Sequence, residues 1–270
     1  GGMDDLAAAA AAPRRRTIDK KVFKLMIPAI LAGGIIQINL LVDTIFASLL
    51  VTGSPTWLYV SDRLIQFPMG IFAIAIGTVL LPALSKIDFD NHKHEFITRL
   101  KKGQRFVLFI GIPSFIGLAF CSIDLVSTLF YRGEFSENDV NQASLSLIAF
   151  SFGLPFFMLM KVLTPAFFAR KDTKTPMYIA IVSLVLNASL NYILAFVFNY
   201  GHVGIAVGSS IAAFVSIIIL ETILVKKNIV KLQNPFNRFN FSILASSTLL
   251  IIFLYSTSLF INFIDLSELE

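Results

Sequence analysis

Seven long apolar blocks, separated by charged connections, constrain this 270-residue sequence more than any other feature. A helix of about 20 apolar residues, rising 1.5 Å per residue, crosses a hydrocarbon core of about 30 Å. Only 14% of the residues are charged, against about 25% in soluble domains. The sequence therefore predicts an all-α, polytopic membrane bundle of about seven transmembrane helices. The blocks cover residues 25–51, 57–84, 106–126, 143–168, 177–198, 203–225 and 241–263.

The basic residues are distributed very unevenly among the connections. Of the 22 Lys and Arg residues, 19 lie before the first block or in the connections that follow the second, fourth and sixth blocks, and the opposite connections carry only Arg132. Because Lys and Arg accumulate on the cytoplasmic side, this asymmetry predicts a cytoplasmic N-terminus and a periplasmic C-terminus. Positive charges spread over membrane connections do not indicate a nucleic-acid partner.

The chain divides into three predicted regions. Residues 1–16 contain six consecutive alanines followed by Pro13 and three arginines, which is typical of a linker or an added remnant and not of a cleavable signal peptide. Residues 17–225 are expected to form a six-helix transmembrane lobe. Residues 226–270 are expected to supply a cytoplasmic connection and a seventh transmembrane helix.

Two basic residues, Arg63 and Lys161, fall inside the apolar blocks, where a charge is costly unless it meets water or a partner. Counted from the turn between the first two blocks, Arg63 and Asp43 lie at similar depth. They are interpreted either as an anion-binding arginine beside a carboxylate in a cavity, or as an ion pair that fastens two helices. Lys161 is close enough to the cytoplasmic end of its block to extend towards the interface.

Asparagines four residues apart form a second polar pattern. Asn187 and Asn191 share one face of the fifth block. One interpretation is inter-helix hydrogen bonding, which is common in membrane bundles. The other is a monovalent cation site, in which amide oxygens and the Asp43 carboxylate serve as hard ligands.

Catalytic patterns are not found in the sequence. It contains no nucleophile elbow, phosphate-binding loop or dinucleotide fingerprint. Its single cysteine, Cys121, excludes a disulfide within the chain, and His92 and His94 lie in a charged connection. The sequence therefore predicts a protein that is not an enzyme and that carries no cofactor.

Several long motifs resemble the MurJ (MviN) family of lipid II flippases, which belongs to a superfamily with multidrug and polysaccharide exporters. The resemblance covers about residues 20–230. It rests on QINLLVDTIFAS at 37–48, WLYVSDRL at 57–64, FPMG at 67–70, GTVLLP at 77–82, KVL at 161–163 with Pro165, and ARKDTKTP at 169–176.

The resemblance implies an architecture and a substrate. Family members have about fourteen spans in two six-helix lobes plus two helices, and this chain is similar to the second lobe with one extra helix. The first, N-terminal lobe of the same protein is then an expected partner, together with membrane lipids and the lipid-linked peptidoglycan precursor. The expected location is the bacterial inner membrane, and the expected driving force is the membrane potential or an ion gradient.

The resemblance also implies roles for individual residues. Arg63 would bind the diphosphate of the precursor, Asp62 would orient Arg63, and Lys161 would be a secondary cation of the cavity. Some members bind Na⁺ in this lobe, which makes Asp43, Asn187 and Asn191 candidate ion ligands. Two alternatives to a flippase stay open: a multidrug or polysaccharide exporter of the same superfamily, and a membrane scaffold that transports nothing.

Overall fold

The computed structural model describes residues 26–229 and 238–267, and within these ranges all regular structure is helical. The predicted linker at residues 1–16 lies outside the described residues. The helices, numbered in chain order, are α1 (Met26–Ser48), α2 (Ser54–Ser85), α3 (Lys93–Phe120), α4 (Ser122–Phe130), α5 (Glu137–Ala169), α6 (Lys174–Val197), α7 (Gly201–Lys226) and α8 (Arg238–Ser267).

Six of these helices, α1 to α3 and α5 to α7, are long and apolar enough to cross a membrane. The seventh predicted block lies in α8, where Ala245–Ser258 is a shorter apolar stretch. Large apolar side chains on the outside remain exposed, among them Phe67 and Val79, each 71% accessible. Such a surface suits lipid tails and not water. The prediction of a polytopic helical membrane bundle is confirmed.

The boundaries predicted for the third block are wrong at both ends. The helix α3 begins at Lys93, well before residue 106, and it ends at Phe120, where Cys121 separates it from the short helix α4. Its first turns are amphipathic: Phe96 and Leu100 are fully buried, while Arg99 is exposed and pairs with Glu95. Apolar block length did not reveal these turns because their charged face interrupts the hydropathy.

Helix α5 is the centre of the bundle. It packs against α2, α3, α4 and α7, and Leu147, Leu154, Met158 and Val162 along it are completely buried. In the neighbouring pair, α6 lies against α7 at very short range. A Cβ atom on Gly204 of α7 would lie 2.8 Å from the backbone nitrogen of Ala195, so only glycine permits this approach.

The start of α2 is fastened to α5 by polar contacts. The indole Nε1 of Trp57 donates a hydrogen bond to Oδ1 of Asp139 at 2.7 Å, and the hydroxyl of Ser61 donates to the carbonyl oxygen of Ala143 at 2.7 Å. Asp139 also completes a capping box with Ser136 at the beginning of α5. Because Trp57 and Ser61 are four residues apart, they fix which face of α2 meets α5. That rotation determines where the side chains of Asp62 and Arg63 point.

Candidate functional site

A cavity of about 360 Å³ lies between α1, α2, α5 and α7. Two carboxylates, Asp43 and Asp62, are on its wall, and its lining includes no Lys, Arg or His residue. It is therefore an acidic cavity within the bundle. The other polar residues that line it are Gln37, Asn39, Thr44, Tyr59, Gln66 and Ser209.

A chain of hydrogen bonds runs behind the Asp43 wall of the cavity. Nδ2 of Asn191 donates to Oδ1 of Asp43 at 2.6 Å and to Oδ1 of Asn187 at 2.7 Å, and Nδ2 of Asn187 donates to the hydroxyl of Ser209 at 2.8 Å. Both asparagines are at most 1% exposed. The structure thus brings together the three residues that the sequence analysis proposed as ion ligands.

Two amide oxygens at this site have no hydrogen-bond donor. Oδ1 of Asn191 and Oδ1 of Asn39 are both buried, and neither has a partner among the described residues. The Asn191 oxygen faces Gly208 of α7, where a Cβ atom would lie 2.3 Å away. Since buried polar atoms are normally hydrogen-bonded, these oxygens are available to a ligand that accepts electron pairs, such as a metal cation.

Sequence reasoning missed Ser209 and Asn39 as members of the site. Ser209 lies in the small-residue run Gly208-Ser209-Ser210 of α7, which is the signal that would have marked a close helix contact. Asn39 is four residues before Asp43 and shares its face. The sequence shows that spacing, but it does not show that four helices enclose a cavity there.

Asp62 and Arg63 are adjacent in the sequence and point to different surroundings. Asp62 lines the cavity and accepts a hydrogen bond from Nε2 of Gln66. The Arg63 side chain is exposed, and its guanidinium lies 5.4 Å from the centre of the Tyr59 ring. Within residues 26–229 and 238–267 no carboxylate lies within 4.0 Å of Arg63, so the ion pair with Asp43 considered from the sequence is absent. The role of Asp62 in orienting Arg63 stays a prediction.

Lys161 lies away from the cavity. Its side chain is exposed, and its backbone carbonyl marks the crossing of α5 with α2, because a Cβ atom on Gly77 would lie 2.8 Å from that oxygen. Gly77 follows Arg63 by 14 residues, which corresponds to about 20 Å along α2. The two exposed cations are therefore at different depths in the bundle.

The described residues contain no cluster of three or more His, Cys, Asp or Glu side chains suited to a transition metal. The acidic cavity is different, since it combines two carboxylates with neutral amide and hydroxyl oxygens. Such hard oxygen donors suit alkali and alkaline-earth cations.

Comparison with known proteins gives consistent matches. The family model described as "Lipid II flippase MurJ" matches residues 7–268. A probable lipid II flippase MurJ of Vibrio cholerae is 49% identical over 200 residues, which is 74% of this chain and 38% of the relative. The corresponding protein of Haemophilus influenzae is 44% identical over 215 residues, covering 77% of this chain and 42% of the relative. The chain thus spans about two fifths of the length of these relatives.

Solved structures agree with this likeness. A lipid II flippase MurJ in an inward closed conformation superposes with a TM-score of 0.64 and 27% identity, covering 87% of this chain and 52% of that one. An outward-facing multidrug resistance MATE transporter of the MOP superfamily gives a TM-score of 0.69 at 18% identity, covering 89% of this chain and 53% of that one. At that identity the second match shows a shared fold and nothing about substrate.

Proposed function

The chain belongs to the MurJ family of lipid II flippases, and from this premise we propose that it forms part of a flippase for the lipid-linked peptidoglycan precursor. The family is one of transporters and not of catalysts, and the chain is a multi-pass protein of the bacterial inner membrane. The family match over nearly the whole sequence is the observation that carries the proposal. Translocation would proceed by alternating access, with this lobe rocking against the remainder of the longer protein.

Arg63 is the proposed ligand of the precursor diphosphate. Its guanidinium is exposed on a helix whose other outward side chains are largely apolar, such as Phe67. A charge on a lipid-facing surface is costly, so this face of α2 is expected to line a water-filled space shared with the rest of the transporter. Guanidinium groups bind phosphates through paired charge-assisted hydrogen bonds. The Tyr59 ring holds the group by a cation–π contact until the substrate arrives.

Lys161 is proposed as a secondary cation for the same substrate. Because Lys161 lies at the level of Gly77, about 20 Å along α2 from Arg63, the two side chains would contact the diphosphate at different stages of its passage. A lysine ammonium suits a transient contact, since it is a point charge on a flexible stem.

The cluster of Asp43, Asn187 and Asn191 is proposed as a monovalent cation site, with Na⁺ as the candidate ion. The carboxylate supplies one negative charge, and the unpartnered Oδ1 of Asn191 supplies a neutral ligand. Binding of such an ion, or the membrane potential acting on it, would bias the conformational equilibrium. One charge moved across 100 mV corresponds to about 2.3 kcal/mol.

The orientation that the basic residues predict completes the proposal. The N-terminus and the connection between α5 and α6 would face the cytoplasm, and the loop after α4 would face the periplasm. The acidic cavity near the start of α2 would then lie in the outer half of the membrane. Site-specific labelling of single cysteines in intact cells measures this arrangement directly.

The function is tested by complementation of a bacterium depleted of its flippase, with this chain expressed alone and together with an N-terminal lobe. We expect growth only with both parts. Arg63→Ala in the complete protein should abolish precursor translocation without lowering the amount of protein in the membrane. The matched control is Arg99→Ala, which removes an exposed arginine of α3 paired only with Glu95. Normal translocation by Arg63→Ala would remove Arg63 from the mechanism. Competition for binding by a multidrug or polysaccharide substrate would favour the exporter alternative.

A further inference from the structure

The side chain of Asp62 lines the acidic cavity, and that of its sequence neighbour Arg63 does not. Successive residues of a helix point about 100° apart, and the contacts of Trp57 and Ser61 with α5 fix the rotation of α2. With that rotation Asp62 and Gln66 line the cavity, while Arg63 is exposed and lies over the ring of Tyr59. Asp62 is thus available for a role that does not involve the diphosphate.

The residues that line the cavity carry negative charge only. Asp43 on α1 and Asp62 on α2 both line it, and no basic side chain belongs to its lining. Two carboxylates in a recess with low-dielectric walls concentrate a negative potential there, which raises the local concentration of cations. Only one of the two, Asp43, is bound to the asparagine pair of α6. Asp62 takes no part in the hydrogen bonds of that site.

The wall of the cavity also offers neutral oxygen ligands. The carbonyl oxygen of Asn39 is buried against the cavity and accepts no hydrogen bond from the described residues. The Gln66 amide, bonded to Asp62 through its nitrogen, leaves its oxygen as a further acceptor. A carboxylate with two amide oxygens matches one positive charge better than two, because divalent ions generally require more anionic oxygens.

We propose that Asp62, with Asn39 and Gln66, forms an outer binding position for a monovalent alkali cation, which recruits the ion and passes it to the inner position at Asp43 and Asn191. This inference rests on the proposed ion site and adds a second carboxylate and an entry route to it. Asp62 is a recruiting residue: its negative charge raises the occupancy of the inner position without contacting the ion once it has moved inward.

The test measures binding of ²²Na⁺ to the purified 270-residue chain in lipid nanodiscs, with choline chloride holding the ionic strength constant. The unaltered chain should bind Na⁺ saturably. Asp43→Asn should abolish saturable binding, and Asp62→Asn should weaken the apparent affinity by about tenfold, the size of effect expected from one nearby charge in a partly shielded site. The control Glu134→Gln, which removes an exposed carboxylate outside the cavity, should leave the affinity unchanged.

Two further variants keep the inference falsifiable if Asp62→Asn fails to fold. Asp62→Glu retains the charge and should keep the affinity within about threefold of the original, whereas Asp62→Ser should behave like Asp62→Asn. An equal loss in Asp62→Glu would mean that Asp62 acts through packing and would overturn the proposal.

The outcomes also distinguish the recruiting role of Asp62 from the inner ion site at Asp43. If Asp43→Asn loses Na⁺ binding and the Asp62 variants do not weaken it, the recruiting role is wrong and the inner site stands. If Asp43→Asn binds Na⁺ normally, the ion site itself is wrong. Precursor translocation by Arg63→Ala tests neither of these, so the flippase assignment is judged separately.

Discussion

At the scale of single residues, Asn191 is the point on which the polar interior depends. Its amide nitrogen donates to both Asp43 and Asn187, and the bond to Asp43 joins α6 to α1. In lipid there is no bulk water to replace a missing donor. Without Asn191 the Asp43 carboxylate would therefore lose a hydrogen bond that bulk water does not replace.

Asn191→Ala should destabilise the protein by about 1–3 kcal/mol, since it leaves buried polar groups of Asp43 and Asn187 without their donor. Thermal unfolding in detergent, followed by tryptophan fluorescence or by the loss of monodisperse protein, measures the change. Asn141→Ala is the control, because Asn141 is exposed near the beginning of α5. Equal melting temperatures for the two variants would show that the hydrogen-bond chain contributes nothing to stability. Addition of Na⁺ should stabilise the unaltered protein more than the Asn191 variant.

At the scale of helices, the crossing of α2 and α5 depends on Gly77. The absence of a side chain there lets α2 lie directly on the carbonyl oxygen of Lys161. The crossing lies beyond the π-helical segment Met69–Ile74 of α2, and Arg63 lies before it. The C-terminal half of α2 thus crosses the centre of the bundle at this glycine, and the N-terminal half carries the proposed site.

Gly77→Ala should separate α2 from α5 or strain them, at a cost of about 1–3 kcal/mol, because the added Cβ would meet a backbone atom that cannot rotate away. Gly70→Ala in the same helix is the control, since a Cβ there meets nothing within 4 Å. The stability of each variant is measured by thermal unfolding in detergent. A Gly77 variant as stable as the Gly70 variant would contradict the close crossing.

At the scale of the whole molecule, three connections on one side of the bundle are tied together. Asp172, between α5 and α6, accepts hydrogen bonds from the backbone and hydroxyl of Thr175 and from Nζ of Lys227 at the end of α7. The guanidinium of Arg170 lies 4.1 Å from the centre of the Phe89 ring, in the connection between α2 and α3. These contacts keep the ends of the helices at fixed spacing on the side predicted to be cytoplasmic.

The Asp172 contacts predict a pH dependence. Burial raises the pKa of the Asp172 carboxyl, but the bonds from Lys227 and Thr175 outweigh it and hold the pKa below its usual value of 3.8. A lowered folded pKa gives stability that is present above pH 3.8 and is lost as the pH falls through the folded value. The melting temperature of the unaltered protein should therefore exceed that of Asp172→Asn by a constant amount at pH 5–7, and the difference should shrink below about pH 4.

Asp90→Asn, in an exposed turn, is the control for this titration. The partly exposed pair of Asp172 and Lys227 is expected to contribute only about 0.2–1 kcal/mol. A difference between Asp172→Asn and the unaltered protein that does not change with pH would mean that the charge of Asp172 does not cause it.

The sequence predicted much of the fold and part of the site, for reasons that differ between elements. Apolar length located the six helices that are long enough to span a membrane, because lipid imposes that length. It misplaced the ends of α3, where the buried stripe of Phe96 and Leu100 continues among charged residues. The four-residue spacing of Asn187 and Asn191 placed them on one face. Spacing along one helix gives depth but not direction relative to other helices. The different surroundings of Asp62 and Arg63 could therefore not be predicted from the sequence.

The wide turn at Met69–Ile74 changes how α2 has to be probed. A π-helical turn takes in roughly one residue more than an α-helical turn, which offsets the two halves of the helix by about 100°. A helical wheel drawn through Ser54–Ser85 as one continuous spiral would consequently assign residues beyond Ile74 to the wrong side. Cysteine-accessibility scans along this helix should show two separate periodic patterns, with the break in phase falling between Arg63 and Gly77.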